Sequence, residues 1–220
     1  MALEQSKLEE LTIGLYDRGA LMFSDFTWTL KSGRRSPLYY NQRGITSFAK
    51  NSRLSLDNQR RIRDLAVEAY SIGIDDLGKP YEHLYGIPQS MTPLGGMVAQ
   101  LRGDSILWGR VGDQEYGVHT PIEGDFVEGD TVVDLDDVIT NAASKLEAVA
   151  SLGEVMLSTQ GFVIMFDREE GGAEVVSDAG YDMVAINGLA SAMNMLEEAG
   201  RIGAQEFEWV SQYHEQLRAD

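Results

Sequence analysis

The sequence predicts an α/β fold, a central, mainly parallel sheet flanked by helices. Three observations carry that reading. Short apolar runs such as 131–135 and 161–166 read as buried strands. Segments with apolar residues at helical spacing, such as 92–102, 142–152 and 172–179, fall among them. The two kinds alternate along the chain, which is the order of βαβ units.

Residues 4–19 carry Leu8, Leu11 and Leu15 at helical spacing and predict an amphipathic helix that Gly19 ends. Residues 21–30 and 37–41 are aromatic and β-rich and predict two short strands. The polar turn Lys31-Ser32-Gly33-Arg34-Arg35-Ser36 joins them. A helix is expected over 57–72, then a loop over 73–80 holding Gly78 and Pro80. His83-Leu84-Tyr85 predicts a strand running into Gly86-Ile87-Pro88, followed by a helix at 92–102 and a strand at 105–108. Residues 109–122 are polar and without periodicity, so a mobile loop is expected there, and 123–130 reads as a turn or hairpin. Beyond it come a strand at 131–135, a helix at 142–152, a strand at 161–166, a helix at 172–179, a strand at 182–186 and helices to the end. Ligands of such sheets sit beyond the C-terminal ends of the strands. The places to look are therefore just after residue 135 and just after residue 85.

Composition narrows the class. The 220 residues are 43% apolar, enough for a core, and carry a net charge of -17. Only Lys7, Lys31, Lys50, Lys79 and Lys145 are lysines. Such a chain repels nucleic acid and anionic membranes, so no nucleic-acid or membrane partner is expected. A polyanionic substrate would need a local positive pocket or a metal ion. Many acids with few lysines also suit high salt. With no cysteine there is neither a disulfide nor a thiolate nucleophile. No run of 18 apolar residues exists, and Met1-Ala2-Leu3-Glu4-Gln5-Ser6 lacks the apolar stretch of a signal peptide, so the expected location is cytoplasmic.

The chemistry concentrates in Val132-Val133-Asp134-Leu135-Asp136-Asp137-Val138-Ile139-Thr140-Asn141-Ala142-Ala143-Ser144. An apolar strand runs into two adjacent acids, a short polar loop and a helix. Free N–H groups and the positive dipole end at a helix N-terminus suit a phosphate. Thr140 and Ser144 add hydroxyls, and Asp136 and Asp137 could hold ribose hydroxyls or help hold Mg²⁺ carried by a pyrophosphate. Phosphate at one end and a diol at the other describe a phosphoribosyl group. The same residues could equally form an acidic cap after a core strand.

This segment resembles the motif by which type I phosphoribosyltransferases bind 5-phosphoribosyl 1-pyrophosphate (PRPP). Other segments narrow the resemblance: Gly14-Leu15-Tyr16-Asp17, Phe23-Ser24-Asp25-Phe26, Leu30-Lys31-Ser32-Gly33-Arg34-Arg35-Ser36-Pro37-Leu38-Tyr39-Tyr40, Arg43-Gly44 and Phe166-Asp167-Arg168-Glu169-Glu170-Gly171-Gly172. In that order they are similar to the signature segments of orotate phosphoribosyltransferases, including the matching domain of the bifunctional animal enzyme, over roughly residues 10–175. The resemblance implies a Rossmann-like type I phosphoribosyltransferase fold as one domain over 1–220. A small N-terminal hood would fill about 1–50 and a PRPP-binding core about 80–190. It implies a pentosyl transfer in pyrimidine (UMP) biosynthesis, orotate plus PRPP giving orotidine 5′-monophosphate and pyrophosphate, with Mg²⁺ as cofactor and a homodimer as the assembly.

The resemblance also implies roles. Lys31 matches the hood lysine beside the substrates, and Tyr39 and Tyr40 match the aromatic pair near the base. Asp136 and Asp137 match the acids on the ribose hydroxyls. Thr140, Asn141, Ala142, Ala143 and Ser144 match the 5′-phosphate loop, with Thr140 also near orotate. Arg168 matches the arginine on orotate's carboxylate, a role that suits a planar, always charged guanidinium. Gln89, Ser90 and Met91, in Gly86-Ile87-Pro88-Gln89-Ser90-Met91-Thr92-Pro93-Leu94, match the pyrophosphate loop. Arg110 with Asp136 and Asp137 makes up the expected catalytic set.

The chain also departs from the pattern. In the loop Arg110-Val111-Gly112-Asp113-Gln114-Glu115-Tyr116-Gly117, Val111 and Gln114 stand where the family has lysines that reach the pyrophosphate. Arg110 remains, with His119 a second candidate cation, against Asp113 and Glu115. Lost preorganised charge commonly costs orders of magnitude in rate. Ala142 stands where the phosphate loop usually carries Gly, which should deny it positive φ. Two extra residues near Thr27-Trp28-Thr29 should alter the hood. The alternatives to a working enzyme are a catalytically impaired PRPP- or nucleotide-binding homologue with a regulatory role, and a phosphoribosyltransferase for another base. Arg168 and Lys31 argue for an acidic pyrimidine.

Overall fold

The computed structural model describes residues 3–30, 34–50, 52–110 and 121–219. It divides into two compact units, one built on Ala66–Ile186 and one on Glu4–Leu65 with the residues from Asn187 onward.

The first unit holds a six-stranded sheet. Its strands are β3 (His83–Gly86), β4 (Ser105–Gly109), β5 (Ile122–Glu123), β6 (Thr131–Ile139), β7 (Ser158–Asp167) and β8 (Asp182–Gly188), in the spatial order β5-β4-β3-β6-β7-β8. β3 pairs in parallel with both β4 and β6, and β6 in parallel with β7, whereas β5 runs antiparallel to β4. The sheet is thus mainly parallel, as the alternating pattern predicted. Val132, Val133, Leu135, Phe162, Val163 and Ile164 are fully buried, which is why these strands read as apolar runs. The chain leaves β3 toward β4 on one side and returns on the other side as β6. The ends of β3 and β6 therefore flank the point where the strand order reverses, the usual ligand crevice of such sheets.

Helices α3 (Thr92–Arg102), α4 (Ala143–Glu154) and α5 (Gly172–Asp178) follow β3, β6 and β7. α3 has the expected bounds: Pro93 stands in its first turn, and Gly103, at φ 75°, closes it with an N–H donated to the Ala99 carbonyl. Two expectations need correction. α2 (Leu56–Leu77) runs five residues beyond the predicted helix, into the span expected to be a loop. Gly73 is a packing residue there, since a Cβ on it would stand 2.7 Å from Val163 Cγ1. β6 likewise runs past residue 135 to Ile139, paired with β7 through Ile139↔Asp167. The apolar Val138 and Ile139 continue the strand, so Asp136 and Asp137 lie within it and not in a loop beyond it.

In the second unit α1 (Gln5–Asp17) packs on α6 (Leu189–Glu198), and α7 (Ala204–Ala219) packs on an antiparallel pair, β1 (Leu21–Thr29) and β2 (Arg35–Tyr40). Gly19 takes φ 75° just past α1, as a helix end requires. β1 is irregular near Thr27. Phe23 pairs with Leu38 and Trp28 with Ser36, so four residues of β1 stand against Pro37 alone, which has no N–H to pair. Among the described residues no helix is long and apolar enough to cross a membrane.

Candidate active site

Three chain segments meet at the C-terminal ends of β3, β6 and β7. The loop after β3 is pinned to β6 by the Ile87 N–H, which donates to the Leu135 carbonyl at 3.0 Å. Gly86 lets this loop fold back, because a Cβ there would sit 3.3 Å from the Met91 carbonyl oxygen. The peptide bond between Pro88 and Gln89 is cis. Gln89 is exposed, whereas Ser90 and Met91 are buried. Ser90 Oγ donates to Asp136 Oδ1 at 3.0 Å, tying the expected pyrophosphate loop to the expected ribose acids.

The segment after β7 closes the other side. The Arg168 N–H donates to the Ile139 carbonyl at 3.2 Å. A Cβ on Gly172 would stand 2.3 Å from the Thr140 carbonyl oxygen, so only glycine lets the start of α5 come this close to Thr140. Thr140 and Arg168 thus lie side by side. Arg168 is buried and ion-paired with Glu170, Nη2 to Oε1 at 2.7 Å. Its guanidinium is charge-balanced before any carboxylate ligand arrives.

Between these segments lie Asp136 and Asp137, both buried. Asp136 Oδ1 also accepts the Asp137 N–H at 2.8 Å, and Oδ2 accepts from Lys145 Nζ at 2.6 Å. Tyr70 Oη donates to the Asp136 carbonyl at 2.8 Å. Burial, with the Asp136 carboxylate beside it, pushes Asp137 up to about 7. Asp137 is therefore poised to release its proton to solvent when a ligand that carries positive charge or donates hydrogen bonds binds beside it.

The loop Asn141–Ser144 leads into α4, whose N-terminus has no side-chain cap hydrogen bond at its N-cap, Ala142. Asn141, Ala143 and Ser144 are exposed there. Asn141 Oδ1 accepts the Ala143 N–H at 3.3 Å, and the exposed first turn can take a phosphate on its N–H groups once that bond opens. Ala142 corrects the sequence expectation: it does adopt positive φ, 62°, the left-handed conformation that glycine would take without strain.

Arg110 ends β4. Its N–H donates to the Pro121 carbonyl at 2.8 Å and its guanidinium forms an ion pair with Glu123, so its charge is partly spent within the protein. It lines a cavity of about 440 Å³ with Pro88, Gln89, Thr92, Trp108 and Glu123. Val111, Gln114, Tyr116, Gly117 and His119 lie outside the described residues, as does Lys31. Tyr39 and Tyr40 belong to the other unit. Tyr39 stacks on Trp28 with ring centroids 5.8 Å apart, and Tyr40 is buried with its hydroxyl donating to Gln42 Oε1 at 3.1 Å.

Sequence reasoning missed Tyr70, Glu170 and Lys145. For Lys145 a signal existed. It shares the buried face of α4 with Ala148 and Leu152, at i, i+3 and i+7, a register that places a rare lysine where an apolar residue is expected. Among the described residues no three His, Asp or Glu side chains gather to hold a metal ion. The donor set is an acid pair with a lysine on one member. It fits Mg²⁺ that is held mostly by a bound pyrophosphate.

The chain is similar to known proteins over most of its length. The chain is 29% identical over 213 residues to the uridine 5′-monophosphate synthase of Bos taurus, a match that takes in 97% of this chain and 42% of that protein. It is 30% identical over 167 residues to the orotate phosphoribosyltransferase of Bradyrhizobium sp., covering 72% of this chain and 83% of that one. The crystal structure of orotate phosphoribosyltransferase from Aeropyrum pernix superposes with a TM-score of 0.67 at 25% identity, over 88% of this chain and 99% of that one. No family model matches.

Proposed function

The chain belongs to the orotate phosphoribosyltransferase family, and from that membership we propose that it catalyses orotate plus PRPP to orotidine 5′-monophosphate and pyrophosphate, in pyrimidine biosynthesis. The observation that carries the reading is the buried acid pair Asp136–Asp137 immediately ahead of the exposed loop that starts α4, at the reversal point of the sheet.

In this reading the 5′-phosphate rests on the N–H groups and hydroxyls of Thr140–Ser144, and the acid pair takes the ribose hydroxyls. The loop with Gln89, Ser90 and Met91 holds the pyrophosphate. Arg168 exchanges Glu170 for, or shares it with, the carboxylate of orotate, and Lys31, Tyr39 and Tyr40 attend the base. A nitrogen of orotate attacks C1 of the ribose as the bond from C1 to the pyrophosphate oxygen breaks. Charge separates in the transition state, so the protein's task is electrostatics and positioning more than proton transfer. Mg²⁺, when bound, would supply positive charge to the leaving pyrophosphate, with Asp136 and Asp137 as its candidate protein ligands. We read residues 1–220 as one phosphoribosyltransferase domain working as a homodimer in the cytoplasm.

A second reading, a PRPP binder with little turnover, draws support from Arg110, whose charge is taken up by Glu123 beside a loop that lacks both family lysines. A spectrophotometric assay with orotate, PRPP and Mg²⁺, at low and molar salt, separates the two. The proposed activity consumes orotate only when PRPP is present. PRPP binding with orotate untouched at both salt levels would refute the enzyme reading in favour of the binder or of another base.

A further inference from the structure

The acid pair has a partner that the proposed reaction does not yet use. Lys145 is 2% exposed, and its ammonium donates to Asp136 Oδ2 at 2.6 Å, to the Val138 carbonyl, and to Ser144 Oγ at 3.4 Å. Two physical terms oppose a lysine at this place. An ammonium is costly to bury unless it is paired and hydrogen-bonded. It also stands in the first turn of α4, where the helix dipole is positive and repels a cation. An apolar residue would pack the same face of the helix beside Ala148 and Leu152. What the lysine adds is charge, and that charge is directed at Asp136.

The consequence is a division within the pair. Asp136 is held by three donors: Lys145 on Oδ2, and Ser90 Oγ with the Asp137 N–H on Oδ1. Its carboxylate therefore ties α4, the loop after β3 and the end of β6 into one piece, and it is ion-paired inside the protein. Asp137 has no ion pair with Lys145. Resting on the proposed PRPP site, we infer that Lys145 is a positioning residue: by pairing with and fixing the Asp136 carboxylate, it holds the two acids in place for the ribose hydroxyls. Lys145 thereby keeps the ligand-free acid pair from collecting a divalent cation of its own, leaving that cation to arrive with PRPP.

The test is a cycle of Lys145→Met, Asp136→Asn and the double variant, each read by calorimetry with PRPP and Mg²⁺ and by Mn²⁺ binding without PRPP. Lys145→Met is expected to weaken PRPP binding at least about tenfold and to tighten Mn²⁺ binding by a similar factor, because two uncompensated carboxylates then stand together. Adding Asp136→Asn should reverse the Mn²⁺ effect, and the double variant should bind PRPP no more weakly than Asp136→Asn alone, since the lysine acts through that carboxylate. The inference is overturned if Lys145→Met binds both ligands as the unaltered protein does. It is overturned equally if Lys145→Met costs as much PRPP affinity in the Asp136→Asn background as it does in the unaltered protein. Should Lys145→Met fail to fold, the double variant is compared with Asp136→Asn. Matching PRPP affinity supports the inference, and an about tenfold loss refutes it. If the unaltered protein binds no PRPP, the proposed function fails, while the Mn²⁺ measurements still decide the role of Lys145.

Discussion

At the scale of single residues, the account turns on which charges are already matched inside the protein. Arg168 is a planar cation buried against Glu170, and a ligand carboxylate would compete for the same guanidinium. Arg168→Ala is expected to weaken orotate binding far more than PRPP binding, by about 2–5 kcal/mol for a truncated buried charge pair, measured by calorimetry for each ligand separately. Equal losses for both ligands would remove Arg168 from the base subsite. The sequence made Arg168 legible through its place between Asp167 and Gly171-Gly172. It left Glu170 unread, because one acid among so many in a chain of net charge -17 carries no signal until burial singles it out. Lys145 was hidden differently: its spacing marked an inward face, but the partner that makes a buried lysine tolerable stands nine residues away on the neighbouring strand.

At the scale of elements, the order of strands and helices was readable, and most misreadings were at their ends. Terminal residues of β6 look like a polar loop because Asp136 and Asp137 are acids, yet they are held in register by β7 and by donors that only the fold supplies. The same holds for α2, where Gly73 signals a helix end locally but serves close packing on Val163. The phosphate loop gives a sharper lesson. Sequence reasoning held that Ala142 would avoid positive φ, and tertiary structure overrides that preference at φ 62°. Ala142→Gly should therefore stabilise the protein by up to about 1 kcal/mol, the relieved left-handed strain exceeding the entropy glycine adds to the unfolded chain. In urea unfolding the midpoint would rise with an unchanged slope. A lower midpoint would mean that the Ala142 methyl, buried in the core, contributes more than the strain costs.

At the scale of the whole molecule, the acidic charge and the buried acids set the response to pH. Asp137 is pushed up to about 7 by burial and by Asp136, and burial drives Asp134 well above the ordinary carboxylate range. A carboxyl whose pKa is raised by folding contributes stability that is fully present below its unfolded value, near 4, and is lost as pH rises through the folded value. Carboxylates lowered by partners, such as Glu10 and Asp130, act in the opposite sense, but only as pH falls below the ordinary range. Between pH 5 and 8 the ligand-free protein should thus lose stability, and Asp137→Asn should flatten that loss. Unfolding midpoints across that window check it, and an unchanged slope in the variant would contradict the assignment to Asp137. A ligand that needs Asp137 ionised, such as PRPP with its Mg²⁺, should bind more tightly as pH rises over the same range. Topology explains why these groups lie together: the reversal of strand order between β3 and β6 opens the crevice into which the acid pair and the start of α4 project from adjoining segments. The most direct test is a calorimetric titration of PRPP with Mg²⁺, at pH 8, into the unaltered chain and into Asp137→Asn. The account predicts one PRPP bound per chain, with affinity at least about tenfold lower in the variant while its fold is retained. Equal affinity in the two proteins, or no PRPP binding by the unaltered chain, would contradict it.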